Sequence, residues 1–433
     1  MGNSPLPKNF FLTKIGMASS GVIYSLQNAH ESFESQQLAL NTTNVSSDFD
    51  PFSDVRFARA DYTSNPFTYI APNKANQPFN FNITNPYGPQ YENQYTPDLD
   101  PEDTVDAPPG PELTDQSKPT VTVRRGESIQ RAIERAPDGA IISVEAGVYN
   151  EKIKFNRDNI TLRGEKGAIM DFQGVDSSDG AIRIENRNNI TISGFEIKNI
   201  TGKYTPTAIA IDGVSNNIRI LNNDIHHVDS SSNAHAISVY GRKSTPIQNI
   251  EIAGNKVHDL KLGSSEAIVV NGNVDGFKIT DNQVYNSNNI GIDVIGGERV
   301  GQGSDRARNG LIARNNVYNI TSADNPKYRS GSAAGIYVDG GIDIKIENNI
   351  VQNSDYGIEI ASERKGFNAE RITVRNNDLA RNRLAGISLG GGNSSNGGIT
   401  DSIIENNRLT DNKRGIWRQN NIGQIEIRDN MES

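Results

Sequence analysis

Carboxylates gather at one phase of a short phrase that recurs through most of the chain. The phrase is a small residue, then Ile, any residue, and Ile, Val or Leu. It reads Ala208-IAID, Ala236-ISVY, Ala267-IVVN, Gly291-IDVI, Gly335-IYVD, Gly357-IEIA, Gly386-ISLG and, less regularly, Gly415-IWRQ. Alternate side chains of an extended segment point to opposite faces. With the isoleucines inward, the residues that follow them form an outward column: Ala210, Ser238, Val269, Asp293, Tyr337, Glu359, Ser388 and Trp417. Two residues further on, the column reads Asp212, Tyr240, Asn271, Ile295, Asp339, Ala361 and Gly390, and Glu298 and Glu363 fall just past two segment ends. Asp293, Glu298, Asp339, Glu359 and Glu363 are therefore expected on one surface over three consecutive repeats, with Asn271 and Tyr337 beside them.

Carboxylates held that close repel one another unless a cation or a basic group joins them. An oxygen-only cluster suits calcium, which takes roughly 6–8 oxygen ligands. Basic residues come from the two longest insertions and from the residues after Glu363. Residues 297–308 carry Arg299, Arg306 and Arg308, residues 321–332 carry Lys327 and Arg329, and Arg364 and Lys365 follow Glu363. Acid and base mixed around one groove are what an acidic sugar polymer requires. On this reading Asn271, Tyr337, Glu298, Arg329 and Arg364 are candidate substrate contacts. Asp212 apart, the repeats before Asp293 and after Glu363 carry uncharged residues at the same positions, so the cluster is local.

Other chemistries have less support. The chain has 433 residues and no cysteine, which excludes a thiol nucleophile, a disulfide framework and Cys-ligated zinc. His226 and His258 share a column one repeat apart, near His227, Asp229 and His235; a shared metal is one reading and plain corner residues the other. Trp417 and Tyr337 either stack on sugar rings or cover the sheet. The run Gly390-GGNSSNGG lacks the Lys-Ser/Thr and the helix that a phosphate loop needs. A net charge of −9 gives no basic field for nucleic acid. No run approaches the ~20 apolar residues of a membrane span. The stretch from Phe10 to Leu26 is broken by Lys14, Ser19, Ser20 and Gly21 and makes a poor signal peptide.

These side chains need a scaffold that lines up successive repeats. A second phrase, strand–polar pair–strand, supplies the evidence for one. It runs through Ile190-TISGFEI, Ile218-RILNNDI, Ile250-EIAGNKV and Phe277-KITDNQV to Ile425-EIRDNM. Its aligned asparagines are Asn223, Asn255, Asn282, Asn315, Asn349, Asn377, Asn407 and Asn430, at spacings of 32, 27, 33, 34, 28, 30 and 23. Short strands in repeats of this length predict a parallel β-solenoid, because a single coil cannot bury its apolar side alone. Stacked coils would place like residues about 4.8 Å apart. The asparagines are expected to form a hydrogen-bonded ladder at a sharp corner that tolerates left-handed backbone. One amphipathic helix is predicted over Glu127 to Ala136, with Ile129, Ala132, Ile133 and Ala136 on one face. Three zones follow: an irregular region at 1–95, an acidic proline-rich linker at 96–119 and the solenoid at 120–433.

The helix, followed by Ile141-ISVEAGVYNEKIKF and Ile160-TLRGEKG, resembles the N-terminal cap and first coil of right-handed parallel β-helix proteins of the pectate-lyase-like superfamily. The resemblance extends from about Thr120 to Asn430. It implies an all-β, right-handed parallel β-helix of about ten coils with a short N-terminal capping helix. The superfamily includes lyases, hydrolases, epimerases, esterases, tailspikes and adhesins, so fold alone does not choose among them. By analogy with its calcium-dependent lyases, Asp293, Asp339, Glu359 and Glu363 would hold Ca2+, with Lys365, Lys327 or Arg308 as base and Glu359 also catalytic. The expectation is a calcium-assisted lyase acting on an acidic polysaccharide, extracellular or at the cell surface. A hydrolase would use the carboxylates without calcium, and an epimerase would share the proton abstraction. A non-enzymatic adhesin or tailspike would use the N-terminal region to attach to an assembly partner.

Overall fold

Strands with one apolar and one polar face must pack in layers, and here the layers close into a coil. In the computed structural model, residues 118–433 are described, together with the backbone of an antiparallel ribbon, Lys14–Ala18 with Gly21–Tyr24. The ribbon belongs to a separate unit, Met1–Arg56. The expectations for 1–95 and 96–119 otherwise lie outside the described residues.

Successive coils stack their strands into three parallel sheets of fourteen, eleven and ten strands. Sheet 1 runs from Thr120–Val123 to Ile425–Arg428, sheet 2 from Gly147–Tyr149 to Met431–Glu432, and sheet 3 from Ile153–Lys154 to Ile416–Arg418. Sheet 3 has ten strands, so ten coils pass through it, as the repeats imply. Every strand pairs in parallel with its counterpart one coil away. Interior columns follow: Ile209, Ile237, Ile268, Ile292, Ile336, Ile358 and Ile387 are in register and fully buried.

Neighbouring coils are fitted to each other in size. In sheet 1, Phe277 stands in register with Gly310. The phenyl ring fills the space of the missing side chain, since a Cβ at Gly310 would lie 2.1 Å from the ring. Dense interiors tolerate no such overlap.

The capping helix, α1 (Ile129–Arg135), packs on the first strands of sheets 1 and 3. Ser128 accepts from the backbone N–H of Arg131 at 3.1 Å, satisfying one of the orphan donors of the first turn. The Glu151 carboxylate takes two more bonds, from the Ser128 hydroxyl at 2.7 Å and the Ile129 N–H at 2.6 Å. Ile129 and Ile133 are wholly buried against the coil interior.

The asparagine ladder joins the coils at the corner between sheets 1 and 2. The Asn255 Oδ1 accepts from both the backbone N–H (3.0 Å) and the Nδ2 (3.1 Å) of Asn223. Asn255 in turn donates from N (2.9 Å) and Nδ2 (3.0 Å) to the Asn282 Oδ1, and its Nδ2 also reaches the Ile220 carbonyl at 2.9 Å. The same pattern continues through Asn315, Asn349, Asn377 and Asn407 to Asn430. The corner takes left-handed backbone as expected, at the residue before each ladder asparagine. Asn222, Asp281, Arg314, Asn348, Asn376 and Asn406 have φ of 53°, 59°, 55°, 57°, 55° and 54°. That residue turns the chain, which points the next side chain into the stack.

Replacing Asn315 by Ala would strand the Asn282 backbone N–H and the Ile279 carbonyl in a buried corner. We expect a loss of about 2–4 kcal/mol, since each buried unsatisfied group costs about 1–3 kcal/mol. Denaturant unfolding measures this, and a loss within the ~0.5 kcal/mol typical of surface substitutions would deny the ladder its structural role.

Candidate functional site

Four strands of sheet 3 position the acidic cluster: Ile268–Gly272, Ile292–Ile295, Ala334–Asp339 and Tyr356–Ala361. Register places Val269, Asp293, Tyr337, Glu359 and Ser388 in one outward column. Asp339 stands in the other outward column, one coil along from Ile295, where Ile295 bridges to Gly340.

This outward face is not a solvated surface. Asp293, Asp339 and Glu359 expose only 2%, 4% and 2% of their area. The Asp293 Oδ1 is buried without a hydrogen-bond partner among the described residues, and so is the Asn271 Oδ1. The Asn271 Nδ2 donates to the Glu298 carboxylate at 2.7 Å, which brings these two predicted contacts together. Asp339 accepts from the Glu363 backbone N–H at 2.8 Å.

Burial pushes the Asp293 carboxyl well above the ordinary carboxylate range, and the negative charges of Glu266, Asp339, Glu298 and Glu363 push it further. Asp339 is raised in the same way, by burial first and then by Glu363 and Glu298. Hydrogen bonds from the Glu363 N–H and the Ser362 hydroxyl oppose the rise. Both groups therefore keep their protons to higher pH than an ordinary carboxyl, while Glu298 and Glu363 lie exposed at the rim.

Insertions flank the cluster on both edges of sheet 3. On the C-terminal edge, residues 296–307 and 362–368 are locked together. The Arg364 guanidinium donates to the Gly297 carbonyl and lies 4.3 Å from the Phe367 ring centroid. Arg306 covers the same ring at 5.0 Å and pairs with Glu370 at 2.9 Å. On the N-terminal edge, the buried Asp355 carboxylate holds the 321–332 insertion through the N–H groups of Ser322 (3.0 Å) and Ala333 (2.9 Å).

Several sequence expectations are corrected by these positions. Arg364 ties one loop to another, which commits its charge to a carbonyl and a ring. Arg308 lies on sheet 1, paired with Asp275 at 3.1 Å and donating to Asn273 at 3.0 Å, outside the cluster. Lys327 and Arg329 are exposed on the N-terminal-edge insertion, and Lys365 is exposed beside Glu363. The four proposed calcium ligands do not form one group. Tyr337 stands between Asp293 and Glu359, whose backbones are two coil steps or about 10 Å apart. Among the described residues no three His, Asp or Glu side chains gather as a metal site. The donor set does not fit calcium as proposed.

The histidines have a packing role. The His226 and His258 rings stack with centroids 5.0 Å apart, and the stack continues to Tyr285 at 4.7 Å and Tyr318 at 4.8 Å. His258 also bonds Asp224 and Asp259, both at 2.9 Å.

Sequence reasoning missed Glu266, the first of the charges acting on Asp293. It sits one residue ahead of the phrase Ala267-IVVN, so only extending the phrase backwards would have found it. His235 comes within 3.6 Å of the Glu266 carboxylate and 3.4 Å of the Tyr240 hydroxyl. These two extend the buried polar row by one coil.

Comparison with known proteins bears on the scaffold. A family model described as right handed beta helix region matches residues 266–431. The Bacillus subtilis (strain 168) protein YwoF, itself described as uncharacterized, is 35% identical over 326 residues, covering 70% of this chain and 68% of that protein. Among solved structures, a Yersinia enterocolitica family 28 exopolygalacturonase has a TM-score of 0.50 at 12% identity, covering 72% of this chain and 78% of its own. An alginate lyase from Paenibacillus sp. str. FPU-7 has a TM-score of 0.49 at 15% identity, covering 71% of this chain and 98% of its own.

The raised carboxyls have a signed consequence for stability. The folded state binds these protons more tightly than the unfolded chain, whose Asp residues titrate near pH ~3.9. Their stabilising contribution is complete below that pH and is lost as pH rises through the folded-state value. Asp293→Asn removes one such loss. The variant should melt above the parent at neutral pH, with a gap that widens from pH 4 upward. A gap that is constant with pH would contradict the assignment.

Proposed function

The chain belongs to the right-handed parallel β-helix proteins of the pectate-lyase-like superfamily, and from that premise we propose that it is a carbohydrate-active enzyme cleaving an acidic polysaccharide by β-elimination on sheet 3. The observation that carries the reading is the pair of buried carboxyls, Asp293 and Asp339, crowded by further carboxylates. A uronate entering a cluster of ionised carboxylates would be repelled. Protonated Asp293 leaves the floor of the site uncharged, and protonated Asp339, which keeps a little exposed area, donates a hydrogen bond to the substrate carboxylate. That bond stabilises the charge that develops on it when the C5 proton leaves.

Removal of that proton falls to a basic side chain at the rim, acting in its neutral form. Lys365 is on the same loop as Glu363, whose N–H bonds Asp339, so it is the base candidate adjoining the pair. The C5–H electrons form the C4=C5 double bond, the C4–O bond breaks with its electrons on the departing oxygen, and that oxygen takes up a proton from solvent water. Asn271, held by Glu298, and Tyr337 line the site. No step needs calcium. A polymer substrate favours an extracellular or cell-surface location; among the described residues no helix is long and apolar enough to cross a membrane.

Hydrolysis is the second reading, favoured by the juxtaposition of protonated Asp339 with the exposed carboxylates Glu298 and Glu363. One would act as general acid and another as base. The fold shared with an exopolygalacturonase is compatible with it.

A panel of uronic-acid polymers, each with and without EDTA, separates the readings. Elimination predicts ultraviolet absorbance of unsaturated products that persists in EDTA and falls at least ~100-fold in Asp339→Ala. New reducing ends without absorbance would replace elimination by hydrolysis. Binding without cleavage would leave an adhesin, and loss of activity in EDTA would reinstate a cation.

A further inference from the structure

We propose that the outward face of sheet 1 is a second binding surface, built for a linear glycan that bears carboxylates and separate from the cluster on sheet 3. Its ligand class rests on the acidic-polysaccharide reading above. A groove of about 690 Å³ crosses this face over the middle coils. Most of its charges are already matched: Arg219 pairs with Glu251 at 2.6 Å, Arg371 with Asp343 at 2.6 Å, and Glu347 with Arg375 at 2.7 Å. Lys278 and Lys345 are the exceptions. Both are exposed, and neither has an ion-pair partner among the described residues. They occupy one outward column with Leu311 between them. Two coil steps put the stems about 10 Å apart, as two fixed cations along a line.

The groove also offers hydrogen-bond acceptors. Asn217, Asn249 and Asn309 spend their Nδ2 groups on Asn189 (2.7 Å), Asn216 (2.8 Å) and Asp275 (2.6 Å). Their Oδ1 atoms receive no donor among the described residues. Gly276 takes the place between Asn249 and Asn309. A side chain there would have nothing nearer than 3.8 Å, so the row of amides opens at that point.

An acidic sugar chain needs both features: ammonium donors for its carboxylates and carbonyl acceptors for its hydroxyl protons. Nucleic acid fits poorly. It has few hydroxyl donors, the groove's one aromatic, Phe277, is buried, and the chain's net charge is −9.

The test measures binding of oligogalacturonate and oligomannuronate to the full chain by calorimetry, in an Asp339→Ala background that prevents turnover. Lys278→Glu/Lys345→Glu should weaken binding at least tenfold and flatten its salt dependence, and the single Lys278→Ala should show a smaller loss in the same direction. Both variants should melt like the parent and, with Asp339 restored, turn over short oligomers at the parental rate. Affinity unchanged by the lysine substitutions overturns the proposal, as does equal binding of neutral dextran or of polyglutamate. Lysine-dependent binding without turnover of any polymer would count against the sheet 3 reading alone. Turnover with lysine-independent binding would count against this surface alone.

Discussion

Hydrogen bonding along the stack, from each coil to the next, is the constraint on which the rest depends. Within one coil each sheet contributes only a strand of a few residues, too little apolar surface to offset the entropy of ordering it. Stability comes from neighbours. Backbone pairing alone would permit a coil to slide by one step, turning its apolar face outward. The asparagine ladder opposes that slip, because each amide oxygen must meet both the backbone N–H and the side-chain Nδ2 of the preceding asparagine. Ladder spacings from 23 to 34 residues are accommodated in the loops while the columns stay fixed.

Fixed columns let the chain do something costly in one place. Asp293 and Asp339 sit where water is excluded and where further carboxylates raise the energy of ionisation. A stack with continuous interior columns can bear that local cost, and proteins commonly concede stability where function requires it. Charges elsewhere are treated differently. Asp355 is equally buried, yet two N–H donors and the Arg383 guanidinium satisfy it. The contrast between a satisfied and an unsatisfied buried aspartate marks out the sheet 3 cluster.

Periodicity made the coils, the ladder and the outward columns legible in sequence, because a stacked architecture repeats each physical requirement at every turn. The helix was legible from its apolar spacing, and its observed span, Ile129–Arg135, is slightly shorter than Glu127 to Ala136. The fate of the basic residues was not legible. Arg364 reaches Gly297 and Arg306 reaches Glu370 across separations of 67 and 64 residues, between loops with no repeating pattern. Nor could alternation reveal that the outward face of sheet 3 is buried, since it reports direction and not solvent. The order Asp293, Tyr337, Glu359 was legible in the outward column; that no three acidic or histidine side chains gather as a metal site among the described residues was not.

The pairing of Phe277 with Gly310 bears on how such a chain can change over time. Solenoids are often pictured as beads that can be duplicated, deleted or reordered. A large ring nested over a bare backbone position makes those two turns a matched set, so an exchange of either with another turn would leave a void or a collision. Lengthening by whole turns is compatible with the interior only at boundaries where the facing residues are alike, such as the isoleucine columns.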